Sequence, residues 1–155
     1  MARVWMGLGA NIGDGEATIH RAFELLQPEL RDSRLSPVIR SKPMYVEDQP
    51  TFWNAVAVGE ANVGPIELLG KCRQIEDCLG RVRRQRNGPR EIDVDLLAYG
   101  CLVLRSSAGF DLELPHPRIF EREFVLKPML ELDPNASLPQ FGFVSDMLRK
   151  LCAIG

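Results

Sequence analysis

An α+β fold, with an antiparallel sheet flanked by helices in three layers, is the architecture this 155-residue chain predicts. Three observations carry that expectation. "RVWMGLGA" and "TFWNAVAVGE" read as buried or half-buried strands. Each is followed by a stretch with apolar residues at helical spacing behind a recognisable start signal. "EIDVDLLAYG" then adds a further strand beyond the second helix. With 45% hydrophobic and 26% charged residues, the composition is that of an ordinary globular domain with one well-buried core. No repeat, low-complexity run or linker divides it, so a single domain over residues 1–155 is expected.

"RVWMGLGA" is a short apolar run ending in glycines, which suits a buried strand. Asp14 can cap a helix carrying Ile19, Ala22, Phe23 and Leu26, and Pro28 disfavours its continuation. "RLSPVIRSKPMYV" is strand-like but broken by Pro37 and Pro43, which places it at a sheet edge or in irregular structure. In "TFWNAVAVGE" the alternation is that of a half-buried strand. Gly64-Pro65 opens a second helix with Leu68, Leu69, Cys72, Ile75 and Leu79 on one face, and Gly80 stops it. The order strand, helix, strand, strand, helix, strand is the split βαβ, or ferredoxin-like, arrangement, with those helices on one face of the sheet. Short strands between Leu102 and Leu114, a helix from Arg122 to Leu132 and a last helix from Val144 to Leu151 complete the expectation.

A formal net charge of −2 and a pI near 5.7 argue against a protein that coats nucleic acid or anionic membranes. No run is apolar enough for a signal peptide or a membrane span, so a cytoplasmic location and no membrane partner are expected. Cys72, Cys78, Cys101 and Cys152 show neither CxxC nor Cys/His ligand spacing, which predicts four reduced thiols and no structural zinc.

Positive charge is concentrated in "GRVRRQRNGPR", with Arg81, Arg83, Arg84, Arg86 and Arg90 and no lysine. Directly after it, Asp93 and Asp95 stand two apart on the strand and so point to the same face. An isolated D-x-D of this kind is most simply a solvated face. Beside five guanidiniums the reading changes. Magnesium takes one or two carboxylates together with substrate phosphates, and guanidinium is the fork that matches phosphate oxygens. "QPTFWNAV" places Phe52 and Asn54 on one strand face and Trp53 on the other. That is either a core aromatic beside an exposed amide, or a pocket that stacks and hydrogen-bonds a flat heterocycle. "GLGANIGD" departs from the dinucleotide-binding glycine spacing, and close packing or a tight turn accounts for its glycines. His116 lies between two prolines, close in sequence to Arg118 and Arg122.

Taken in order, "GLGANIGD", "DQPTFWNAV", "IEDCLGRVR", "GPREIDVDLL" and "LPHPRIFEREFVLKPMLEL" resemble the 6-hydroxymethyl-7,8-dihydropterin pyrophosphokinase family of folate biosynthesis, nearly end to end. The resemblance implies transfer of pyrophosphate from MgATP to the pterin hydroxymethyl oxygen, with release of AMP. It implies that Asp93 and Asp95 hold two Mg2+ ions, and that Arg81 and Arg90 act with them in catalysis. Arg73, Glu76, Arg83, Leu96, His116 and Arg122 fall at ATP-site positions. Ser41, Pro43, Met44, Phe52, Asn54 and Phe124 fall at pterin-site positions, with the two phenylalanines sandwiching the ring. The loop from Arg81 to Arg90 is expected to close over bound substrates, although Asn87 stands near where some relatives carry tryptophan, and Arg73 where some carry Gln. A monomer is expected. Two other classes compete: another magnesium-dependent nucleotidyltransferase or nuclease using the same D-x-D pair, and an RNA-binding ferredoxin-like module.

Overall fold

The computed structural model describes residues 1–44, 48–82, 89–105 and 112–154. In chain order its elements are β1 (Ala2–Ala10), α1 (Gly15–Leu26), β2 (Leu30–Leu35), β3 (Ile39–Ser41), β4 (Phe52–Ala61), α2 (Pro65–Cys78), β5 (Asp93–Tyr99), α3 (Glu123–Leu132), β6 (Ser137–Leu138), β7 (Gly142–Phe143) and α4 (Val144–Ile154). The main sheet runs β2-β4-β1-β5, with β3 also paired to β4, and every pairing is antiparallel. Each helical crossover is therefore split by one strand: β4 lies between β1 and β2, and β1 lies between β4 and β5. This is the ferredoxin-like order the element pattern predicts.

Local chemistry explains where the first helices begin and end. The Asp14 side chain accepts from the Ala17 N–H at 3.1 Å and caps α1. Pro65 occupies the first position of α2, and Gly80, at φ +85°, turns the chain out of it.

Both faces of the sheet are buried. On one, Val4, Met6 and Leu8 of β1 and Val94 and Leu96 of β5 pack against Ile19 and Leu26 of α1 and Leu68 and Ile75 of α2. On the other, Trp5, Val56, Val58 and Leu97 pack against Val125, Leu126 and Met129 of α3 and Val144 and Met147 of α4. The result is three layers, αβα.

Three expectations need adjustment. Strand β2 begins at Leu30, in "LRDSRL", which shows no clean alternation; its pairing with β4 shifts register between Arg31 and Arg34, and Asp32 has φ +50°. Between Leu102 and Leu114 the described residues form a single Leu104–Leu114 bridge rather than strands. The last helix continues three residues past Leu151, to Ile154.

Candidate active site

Strand β5 carries an irregularity that aims the site. Trp5 pairs with Ala98 while the next residue, Met6, pairs with Leu96, so Leu97 is the extra residue of a bulge. Below the bulge, Asp93, Asp95 and Leu97 all face the α3 side of the sheet. Opposite the two aspartates on β1 stand Gly9 and Gly7. A Cβ at Gly9 would lie 3.2 Å from Asn54 Oδ1, and one at Gly7 would lie 3.5 Å from Leu97. Gly7 and Gly9 thus form the floor of a cleft, while Gly13, at φ +70°, makes the tight turn the sequence predicts.

That cleft is also lined by Ser41, Lys42, Met44, Phe52, Asn54, Arg90, Asp93, Asp95, Arg122 and Phe124. Asn54 is buried, and its amide donates to Ser41 Oγ, which fixes both groups at one wall. Trp53 packs away from the cleft, towards Gly15 on α1, as strand alternation requires. The rings of Phe52 and Phe124 each carry a guanidinium nearby: Arg90 lies 5.3 Å from the Phe52 centroid, and Arg122 lies 5.9 Å from that of Phe124. Of the predicted pterin-site residues, all but Pro43 line this cleft.

A second, more polar cleft adjoins the first. Leu69, Arg73, Asp95, Leu96, Leu112, Glu113, His116, Pro117, Arg118 and Arg122 line it. Asp95 and Arg122 belong to both clefts. Arg73, Leu96, His116 and Arg122 appear here as the sequence predicts, joined by Arg118, which the sequence marks as a neighbour of His116, whereas Leu112 and Glu113 carry no sequence signal that sets them apart. Arg83 lies outside the described residues, as do Arg84, Arg86, Asn87 and most of the loop expected to close.

Glu76 stands apart from both clefts. It is fully buried, and both its oxygens are engaged. Oε1 accepts from Arg73 at 3.1 Å; Oε2 accepts from Arg81 at 2.7 Å and from the Val94 N–H at 2.9 Å. Val94 separates the two aspartates, so this buried carboxylate anchors the strand that presents them. Arg81 continues the chain of charge, donating to Asp93 Oδ1 at 2.9 Å, while Arg90 holds Asp93 Oδ2 at 3.1 Å.

The two aspartates are electrostatically unlike. Burial works against the Asp93 carboxylate, but Arg90 and Arg81 outweigh it and hold its pKa below the ordinary range. Asp95 is pushed up to about 8, by burial first and then by the charge of Asp93, with Arg122 opposing. Arg122 is a loose partner at 3.8 Å, and its buried Nε has no hydrogen-bond acceptor among the described residues. A pair of carboxylates that cannot comfortably ionise together, beside an unmatched guanidinium N–H, is suited to a cation and an anionic ligand arriving together. The donor set fits Mg2+: two hard-oxygen carboxylates on one face would leave coordination positions for phosphate and water.

His116 is neutral at physiological pH. Burial lowers its pKa to about 4, helped by Arg122 and Arg118. Its Nδ1 accepts from the Arg118 N–H at 3.2 Å, so the ring proton belongs on Nε2, making that nitrogen a donor.

The cysteines take no part in this geometry. Cys72 is buried, and its thiol is pushed up to about 12 by burial and then by Glu76 and Asp95. Cys78, Cys101 and Cys152 are exposed and free. Replacing those three with Ser is expected to leave turnover unchanged with or without reductant. A drop in kcat of the folded triple variant would put a thiol in the reaction.

Residues 5–134 match the family model of 7,8-dihydro-6-hydroxymethylpterin-pyrophosphokinase (HPPK). The chain belongs to the HPPK family. It is 40% identical over 139 residues to the 2-amino-4-hydroxy-6-hydroxymethyldihydropteridine pyrophosphokinase of Aquifex aeolicus, covering 90% of this chain and 85% of that protein. The Pseudomonas aeruginosa protein of the same name is 36% identical, covering 94% and 90%. A crystal structure of Plasmodium falciparum HPPK-DHPS superposes with a TM-score of 0.73 over 99% of this chain at 13% identity, which supports the fold. This HPPK chain spans 44% of that Plasmodium chain and 22% of the folic acid synthesis protein FOL1 of Dictyostelium discoideum.

Proposed function

We infer that this chain transfers the β,γ-pyrophosphoryl unit of ATP to the hydroxymethyl oxygen of 6-hydroxymethyl-7,8-dihydropterin, yielding AMP and the pterin diphosphate in folate biosynthesis. The observation that carries this reading is the junction of two unlike clefts at Asp95 and Arg122. One cleft has two aromatic rings and an amide in its lining, suited to a flat heterocycle. The other is cationic and polar, suited to a nucleotide. A reaction joining their occupants must occur where they meet.

In this reading Phe52 and Phe124 stack the pterin, Asn54 hydrogen-bonds its edge, and Ser41 and Met44 close the pocket around it. Arg73, Leu96, His116 and Arg122 receive ATP, with His116 offering its Nε2 proton to a phosphate oxygen. Asp93 and Asp95 would hold two Mg2+ ions, which supply charge neutralisation along the triphosphate when bound. Arg81 and Arg90, which hold Asp93 in the free protein, are placed to turn to phosphate oxygens and stabilise charge as the bond to AMP breaks. Glu76 acts from beneath, holding Arg81, Arg73 and the Val94 backbone. Such transfer requires positioning more than covalent chemistry, so no nucleophilic side chain is assigned.

The chain is proposed to act as a single cytoplasmic domain and a monomer, without nucleic acid or membrane partners. The sheet face that an RNA-binding module would expose is covered by α3 and α4. Among the described residues no helix is long and apolar enough to cross a membrane. The test is AMP release from MgATP with and without the pterin. AMP is expected to form only when the pterin is present, in equal amount to the pterin consumed; pterin-independent AMP, or ADP in its place, would overturn the reading.

A further inference from the structure

The motif "GLGANIGD" contributes a residue that neither cleft includes. Asn11 follows the last residue of β1, is 5% exposed, and all its amide hydrogens are committed. Its Nδ2 donates to Gln49 Oε1 and to the Pro50 carbonyl, both at 2.9 Å. Its Oδ1 accepts from the Arg90 N–H at 3.0 Å, and its own N–H donates to the Arg90 carbonyl at 3.1 Å. One short side chain therefore reaches two segments: the residue whose guanidinium holds Asp93, and the turn that leads two residues later into Phe52. The two ends meet again in space, where the Arg90 guanidinium lies 5.3 Å from the Phe52 ring.

We propose that Asn11 is a positioning residue for the transfer, fixing Arg90 and the Phe52 end of β4 to one point so that the phosphate and pterin halves keep a constant spacing. The proposal rests on the pyrophosphokinase reading. Asparagine suits the task because one group must donate twice and accept once. Aspartate keeps the acceptor for Arg90 but turns an oxygen toward the Pro50 carbonyl, which cannot reverse its polarity. Gln49, by contrast, can rotate its amide and donate instead. Alanine leaves the Arg90 N–H and the Pro50 carbonyl without this partner while sparing the backbone bond from residue 11. Displacements of about 1 Å between reacting groups cost on the order of 10²-fold in rate, and that is the scale expected here.

The decisive experiment is a double-mutant cycle in kcat with Asn11→Ala and Arg90→Ala, at a temperature well below unfolding for every variant. Asn11→Ala alone is expected to slow transfer by about 10²-fold, with affinity for a non-hydrolysable ATP analogue held within about 2-fold. In the Arg90→Ala background the same change should cost less than about 10-fold, because the Arg90 half of its route of action is already gone. Equal costs in both backgrounds, or no cost in the folded single variant, would overturn the proposal. Should Asn11→Ala fail to fold, Asn11→Asp serves in its place. It should weaken pterin binding by roughly 10-fold while leaving the ATP analogue unaffected; parallel loss of both, or of neither, would overturn the proposal. Wild-type turnover measured alongside tests the pyrophosphokinase reading separately.

Discussion

Asp95→Asn is expected to reduce transfer by about 10³-fold or more, equivalent to ~4 kcal/mol in the barrier, while making the metal-free protein harder to unfold at alkaline pH. The two effects have one cause. Asp95 lies where both clefts meet, beside Asp93, and in the free protein its carboxyl is raised to about 8 from an ordinary 3.8 by burial and by its neighbour's charge. A carboxyl that binds its proton more tightly when folded destabilises the fold progressively as pH rises from the unfolded value towards about 8, and by a constant amount above that. Asn removes the penalty. The melting temperature of Asp95→Asn relative to the parent should therefore climb between pH 4 and 8 and then level off. Mg2+ with ATP should stabilise the parent much more than the variant. A variant that turns over normally at saturating Mg2+ would remove Asp95 from the metal site, and one destabilised at pH 9 would contradict the burial and charge account of its carboxyl. Asp93→Asn should lose activity comparably without the alkaline gain, since Arg90 and Arg81 already favour its charged form.

Arg122→Ala is expected to lower kcat by about 10²–10³-fold, the scale seen when one preorganised donor to a developing charge is removed. Arg122 precedes α3, lines both clefts, stands 3.8 Å from Asp95, and holds a buried Nε–H without an acceptor among the described residues. An unmatched donor in that position is costly in the free protein and would be satisfied by a phosphate oxygen of bound ATP. Binding of each substrate alone should suffer less than turnover, because each cleft keeps its other lining groups. Lys should not rescue, since an ammonium lacks the planar fork that directs Nε and Nη separately. Steady-state kinetics with titrations of each substrate separate these effects. Full activity with Lys, or affinity losses equal to the loss in kcat, would reduce Arg122 to a general source of positive charge.

The aspartate pair and the Phe52/Asn54 face were legible because a strand has a period of two. Strand β2 was not, because its register shift breaks the alternation that identifies a half-buried strand. The bulge at Leu97 left no mark on the sequence either, yet it allows Asp93, Asp95 and Leu97 to share a face below it while Tyr99 returns to the opposite core. Glu76 shows a different limit. The family resemblance gives it an ATP-site position, but only the fold reveals that it is sealed beneath the site and bonded to Val94, Arg73 and Arg81. Asn11 was hidden for a similar reason: its partners lie 38, 39 and 79 residues away. Local patterns encode faces and ends of elements; contacts between distant segments require the fold.

The measurement that bears most directly on the central claim is the position of bond cleavage in ATP. With ATP isotopically labelled at the β-phosphorus, the account predicts that all consumed label appears in the pterin diphosphate and none in the released nucleotide, which is AMP. Label retained in ADP would mean transfer of the terminal phosphoryl group. Label released as inorganic pyrophosphate, with the nucleotide joined to the pterin, would mean attack at the α-phosphorus and a nucleotidyltransferase built on the same two aspartates. Either result would contradict the assignment of this site.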